Sequence, residues 1–104
     1  MKPSTRIISF TFLVLASALP LSASAAPPVG RALAANCFQC HGTDGRALDG
    51  MPSIAGKDVD SLYKSTLEYK RSTELNDIMV RQAKGYTDAQ IHQIAEYFAS
   101  VPEH

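Results

Sequence analysis

Near the C-terminus, apolar side chains recur every three or four positions. Ile91, Ile94, Ala95, Phe98 and Val101 form one stripe with polar residues between them. That period predicts an amphipathic helix. Thr87, with Gln90 three positions on, makes a capping box at its start, and Pro102 follows its end. Val59, Leu62, Tyr63, Thr66 and Tyr69 repeat the pattern. They predict a helix that opens at Asp58, a good N-cap, and runs to about Lys70, with Lys64, Ser65 and Glu68 toward water. Between these two, Asn76 or Asp77 can cap a short helix over residues 78–84, closed by Gly85 as a C′ residue. A further helix is expected from near Pro28 to about Cys40, with Gly30, Leu33, Cys37 and Cys40 on one side. A glycine inside a helix costs about 1 kcal/mol against alanine, and the expected return for Gly30 is close approach by another helix. No stretch alternates apolar and polar residues as a half-buried strand would. The fold class is therefore all-α.

Residues 42–57, "GTDGRALDGMPSIAGK", interrupt the helices with four glycines and a proline. A loop of that length in a small domain is usually functional or wrapped around something. Ahead of the helices, residues 1–6 carry Lys2 and Arg6 and no acid; Ile7 to Leu21 is largely apolar; "SASAAPP" follows. These are the three parts of a secretory signal peptide. Cleavage is expected after Ala25, which makes 1–25 the signal peptide and 26–104 the domain. A retained membrane anchor would need about 20 apolar residues, and Pro20 and the serines interrupt this run. No stable membrane insertion is expected once the segment is removed, and the product is placed in the periplasm.

Charge changes the picture little. Ten basic and ten acidic residues balance over the whole chain, and loss of Lys2 and Arg6 leaves the domain mildly acidic. No basic block interleaved with aromatics points to nucleic acid. A domain this short builds only a marginal core from side chains, and such domains often recruit a staple or a cofactor.

The chain has two cysteines, both in "NCFQCHG", residues 36–42. A disulfide between positions i and i+3 closes a tiny loop and restrains little. Thiol–disulfide exchange uses C-x-x-C beside a sheet, and no sheet is expected. Structural zinc needs four ligands, usually two spaced pairs; beyond His41 there are only His92 and His104, each isolated. His92 lies at the edge of the last helix's stripe and reads as solvated. C-x-x-C-H is instead the attachment signature of haem c. Cys37 and Cys40, one helical turn apart, can each add to one haem vinyl group, and His41 then lies against the ring face to bind iron. For the other axial position, reach leaves both Met51 and Met79 open, since ten extended residues span over roughly 30 Å.

"NCFQCHG", "MPSIAGK", "LEYKR" and "IMVRQAKGYTDAQIHQIAEYFASV" together resemble a class I cytochrome c. More narrowly, they are similar to the haem subunit of flavocytochrome c sulfide dehydrogenase and its small soluble relatives. The likeness covers nearly all of residues 26–104. It implies a small cytochrome c fold wrapped round one covalent haem, with Met79 as the sixth ligand. It also implies that the Pro52 carbonyl accepts the imidazole N–H of His41, and that Gly30 admits Tyr97 or Phe98 where the first and last helices cross. Tyr63 and Tyr69 are expected near the haem. Lys57, Lys64, Lys70, Arg71 and Lys84 are candidates to ring its exposed edge and steer an acidic partner.

The expected function is a one-electron carrier between redox proteins, not an enzyme. Two other readings stand beside it: a dedicated haem subunit docked on a sulfide-oxidising flavoprotein, and a haem enzyme or sensor with an open iron site.

Overall fold

A computed structural model describes residues 2–5 and 28–103. The signal peptide expected over residues 1–25 falls, apart from 2–5, outside the described residues. Among the described residues five α-helices follow in order: α1 (Val29–Ala34), α2 (Phe38–His41), α3 (Val59–Arg71), α4 (Ile78–Lys84) and α5 (Asp88–Ser100). Among the described residues there is no strand, and the fold is all-α.

The caps lie where the side chains dictate. At α5, the Gln90 amide donates to Thr87 Oγ1 at 3.1 Å and the Thr87 amide donates to Gln90 Oε1 at 2.9 Å, closing the capping box. All five residues of its expected stripe are buried. Asp58 accepts from the Ser61 amide at 2.9 Å to start α3, and Asp77 from the Met79 amide at 2.8 Å to start α4. Gly85 closes α4 as expected, with a right-handed φ of −74°.

Two other expectations are corrected. The first helix is not continuous from Pro28 to Cys40. A 3₁₀ turn, Ala35–Cys37, separates α1 from α2, which runs on to His41. Because a 3₁₀ turn winds faster than an α-helix, α2 presents a different face from a straight continuation of α1. In α3 the buried residue is Leu67, which the expected stripe omitted, while Tyr69 at that stripe's end stays exposed. Leu67 is buried because α3 packs against both α4 and α5.

Ala34, Ile94 and Phe98 centre the core, with Leu33, Cys37, Phe38, Ile54, Leu62, Tyr86 and Tyr97 packed on them. Gly30 lets α1 cross α5: a Cβ there would lie 2.3 Å from the Gln93 carbonyl oxygen and 2.9 Å from Tyr97 Cβ. Tyr97 is thus the aromatic at the crossing. Phe98 points elsewhere, against Gly45, whose added Cβ would stand 2.7 Å from Phe98 Cδ1.

The stretch from Gly42 to Lys57 is irregular but pinned. Its Gly56 amide donates to the Phe98 carbonyl at 2.8 Å, and Arg46 donates twice to the Pro102 carbonyl, at 3.1 and 2.9 Å. Bonds of this kind satisfy backbone groups that no helix or sheet supplies. They fasten the loop to the end of α5, beside the cleft described next.

Candidate functional site

The 3₁₀ turn and α2 deliver Cys37, Cys40 and His41 to one wall of an apolar cleft. Its inner part, a cavity of about 130 Å³, is lined by Cys37, His41, Ile54, Leu62, Met79 and Phe98 together with neighbours from α3, α4 and α5. A second space of about 170 Å³ continues outward, bordered by Cys37, Cys40, His41, Met51, Ile78 and Met79. Cys37, His41 and Met79 belong to both. The fold therefore gathers the two cysteines, the histidine and Met79 around one space, from segments about 40 residues apart. Met51 borders only the outer part and is 44% exposed.

His41 has a defined tautomer. Its Nδ1 lies 2.8 Å from the Pro52 carbonyl oxygen. A carbonyl can only accept, so Nδ1 carries a hydrogen, and in the neutral ring Nε2 keeps its lone pair. That leaves Nε2 able to ligate a metal while the other nitrogen is held in place.

Neither cysteine is in a disulfide. Burial pushes the Cys37 thiol up from its ordinary pKa, with a smaller contribution from the neighbouring Cys40. A dithiol working by exchange needs the opposite, a depressed thiol. Among the described residues no three His, Cys, Asp or Glu side chains converge to hold a bare metal ion, whereas a zinc site needs four ligands. A flat apolar macrocycle fits the donor set better. The cleft has an apolar lining, two thiols on one wall, an imidazole with a free Nε2 and a thioether from another helix.

Several neighbours carry no signature in the sequence. The Tyr86 hydroxyl donates to the Leu33 carbonyl at 2.9 Å and accepts from Asn36 Nδ2 at 3.3 Å, while the residue also lines the inner cavity. Ile54, inside the glycine-rich loop, closes the same cavity. Tyr69 lines the cavity as expected, but Tyr63 does not: its ring packs edge-on against His92 with centroids 5.3 Å apart. His92 is half exposed, its Nδ1 3.5 Å from a Glu96 carboxylate oxygen, in keeping with a solvated residue.

Two of the five cations considered for partner steering also hold helices together. Lys70 Nζ bonds Asp88 Oδ1 at 2.5 Å, and Lys84 Nζ donates to the Lys70 carbonyl at 2.6 Å. They tie α3 to α5 and to α4. The Lys70 hydrogen bond holds the Asp88 carboxyl below its ordinary pKa. On the other side, Asp44 accepts from the Tyr97 hydroxyl and pairs with Arg31 Nε at 3.3 Å. Burial, and then the bond to Asp44, push the Tyr97 hydroxyl above its ordinary pKa.

Known proteins resemble this chain in sequence. The sequence model of the family described as cytochrome c matches residues 29–102. The chain is 38% identical over 86 residues to the cytochrome subunit of sulfide dehydrogenase from Chlorobaculum tepidum, across 79% of this chain and 78% of that protein. It is 32% identical over 68 residues to cytochrome c-554(548) of Halomonas halodenitrificans, across 62% of this chain and 82% of the relative. It is 30% identical over 87 residues to cytochrome c4 of Thiocapsa roseopersicina, across 77% of this chain but only 45% of that longer protein.

Proposed function

The chain belongs to the cytochrome c family, an electron-transferring c-type cytochrome; from that premise we propose a soluble periplasmic one-electron carrier. It holds one haem c through Cys37 and Cys40, with His41 and Met79 as axial ligands. The observation that supports this reading is the shared cavity. Cys37, His41 and Met79 line it together, and the Pro52 carbonyl fixes the His41 tautomer that leaves Nε2 available. When bound, the haem iron supplies a reversible one-electron couple, and a thioether ligand favours its ferrous state.

The residues of the chain account for the rest. Cys37 and Cys40 prevent loss of the group from a domain too small to enclose it. Ile54, Leu62 and Phe98 exclude water from the inner face. His41 Nε2 and the Met79 thioether would both be taken up by the iron, which would leave it no place for a substrate; that separates a carrier from an open-site enzyme or sensor. Met79→Ala tests this. The weak methionine–iron absorption at the red end of the spectrum should vanish; its survival would remove Met79 from the assignment.

Export and maturation make a second measurable statement. The intact mass should equal residues 26–104 plus one haem, and acid-acetone should leave the colour on the protein. No helix among the described residues is long and apolar enough to cross a membrane.

The resemblance to a sulfide dehydrogenase cytochrome subunit supports a second reading, in which the protein docks on a flavoprotein and accepts its electrons. Size-exclusion of the native extract separates the two. Co-elution with a flavin-containing chain favours the subunit, and elution alone favours the free carrier.

A further inference from the structure

Three donors converge on a single carbonyl behind His41. Ser53 Oγ, the Ile54 amide and the Ala55 amide all donate to the Gly45 oxygen, at 3.0, 2.9 and 3.2 Å. A carbonyl oxygen has two lone pairs, so this acceptor is used to its limit. The donors come from the residues directly after Pro52, whose own carbonyl takes the His41 Nδ1–H at 2.8 Å. Gly45 is anchored in turn. Phe98 packs against it, and its neighbour Asp44 sits in the left-handed region at φ 57°. The Asp44 carboxylate is gripped by the Tyr97 hydroxyl from α5 and by Arg31 from α1. A continuous path of bonds therefore runs from two helices, through Asp44 and Gly45, to the carbonyl that aims the imidazole.

We propose that Asp44, Tyr97 and Ser53 are positioning residues for His41, acting through the Gly45 carbonyl to fix the Pro52 acceptor and so set the haem's reduction potential. The inference rests on His41 being an axial ligand. A firm Nδ1–H···O bond makes the imidazole a more basic ligand, which favours ferric iron. Loosening the Pro52 segment weakens that bond, favours ferrous iron and raises the potential. Among the described residues no buried side-chain nitrogen or oxygen lacks a hydrogen-bond partner.

The test uses the holoprotein and single-group changes. Ser53→Ala removes one donor to Gly45. Tyr97→Phe removes the hydroxyl and keeps the ring against Phe38 and Phe98. Asp44→Asn serves as a further variant, because asparagine tolerates a left-handed backbone. Two quantities are read: the midpoint potential, and the solvent exchange of the His41 Nδ1 proton by NMR. Ser53→Ala and Tyr97→Phe should each raise the potential and speed the exchange, and Ser53→Thr, which restores a hydroxyl, should return both toward wild type. A purely structural role would lower the melting temperature and move neither quantity. Potentials that stay or fall overturn the proposal, as does a Ser53→Thr variant that behaves like Ser53→Ala. The wild-type spectrum is taken first. A wild-type protein without covalent haem or without histidine ligation refutes the functional reading itself, whereas unshifted potentials in a normally ligated protein refute only the positioning device.

Discussion

Residues 42–57 contain no helix longer than one 3₁₀ turn, whereas residues 58–84 are mostly helical, and both segments border the cleft. The loop is held by bonds across itself, Gly45 to Ser53–Ala55, and by bonds to distant groups: Gly56 to Phe98, Arg46 to Pro102 and Asp44 to Tyr97. The α3–α4 pair is held by its own caps, by apolar packing at Leu67, Val80 and Ala83, and by the Lys70–Asp88 bond at the surface. An irregular segment can thus hold the site as firmly as a helix, provided that its backbone groups find partners. It also fixes orientation better. Hydrogen bonds are directional, while apolar packing tolerates small shifts.

The largest effect is expected from Phe98→Ala, which withdraws the ring that Gly45 packs against. Loss of so buried a phenylalanine costs about 3–5 kcal/mol, read as a lowered melting temperature of the holoprotein. Hydrogen exchange should rise first at the Ile54 and Ala55 amides. Equal loosening of α3 and α4 would erase the contrast between the two segments. Gly30→Ala comes next, at about 3 kcal/mol. The new methyl would meet the Gln93 carbonyl, and α1 must move off α5. The whole cysteine-bearing segment should loosen, with α3 and α4 little changed. Asp77→Ala is smaller, about 1 kcal/mol for a lost N-cap. It should fray the start of α4, next to Met79, and leave the loop amides protected.

The pH dependence sharpens the same contrast, since the two segments respond at opposite ends of the scale. Asp88 has a folded pKa below its unfolded value. Its contribution is therefore present above the ordinary carboxylate range, near 3.9, and is lost as acid protonates it. Tyr97 has a folded pKa above its unfolded value. Its contribution is full below about pH 10 and is lost as alkali ionises the hydroxyl. Exchange measured across pH should show acid loosening the α3–α5 contact at Lys70–Asp88, and alkali loosening the turn around Asp44 and Gly45. The exposed Asp88 pair should give the smallest change, because water and salt screen it. A common response of both segments at one pH extreme would contradict their separate anchoring.

Much of this was readable from local pattern. The stripe Ile91–Val101, the Thr87–Gln90 box and the Asp58 and Asp77 caps each depend on residues within about four positions of one another, the range over which helix signals act. C-x-x-C-H pointed to the attachment chemistry for the same reason, because its spacing is one helical turn. Where neighbours at longer range decide, pattern reading went astray. Leu67 was passed over because its burial comes from α4 and α5, not from the period of α3. Tyr63 was placed near the haem, yet it packs on His92, a residue of α5.

Residue order along the chain thus indicated which segments are helical, where α3, α4 and α5 start, and which side chains offer two thiols and an imidazole, since those features follow from short-range sterics, hydrogen bonding and spacing. Two features waited on the folded arrangement: the Gly45 carbonyl as a shared acceptor, and the grip of Tyr97 and Arg31 on Asp44. Each joins groups from different parts of the chain, and such partners come within bonding distance only after α1 has closed over α5 and the loop has wrapped the end of α5.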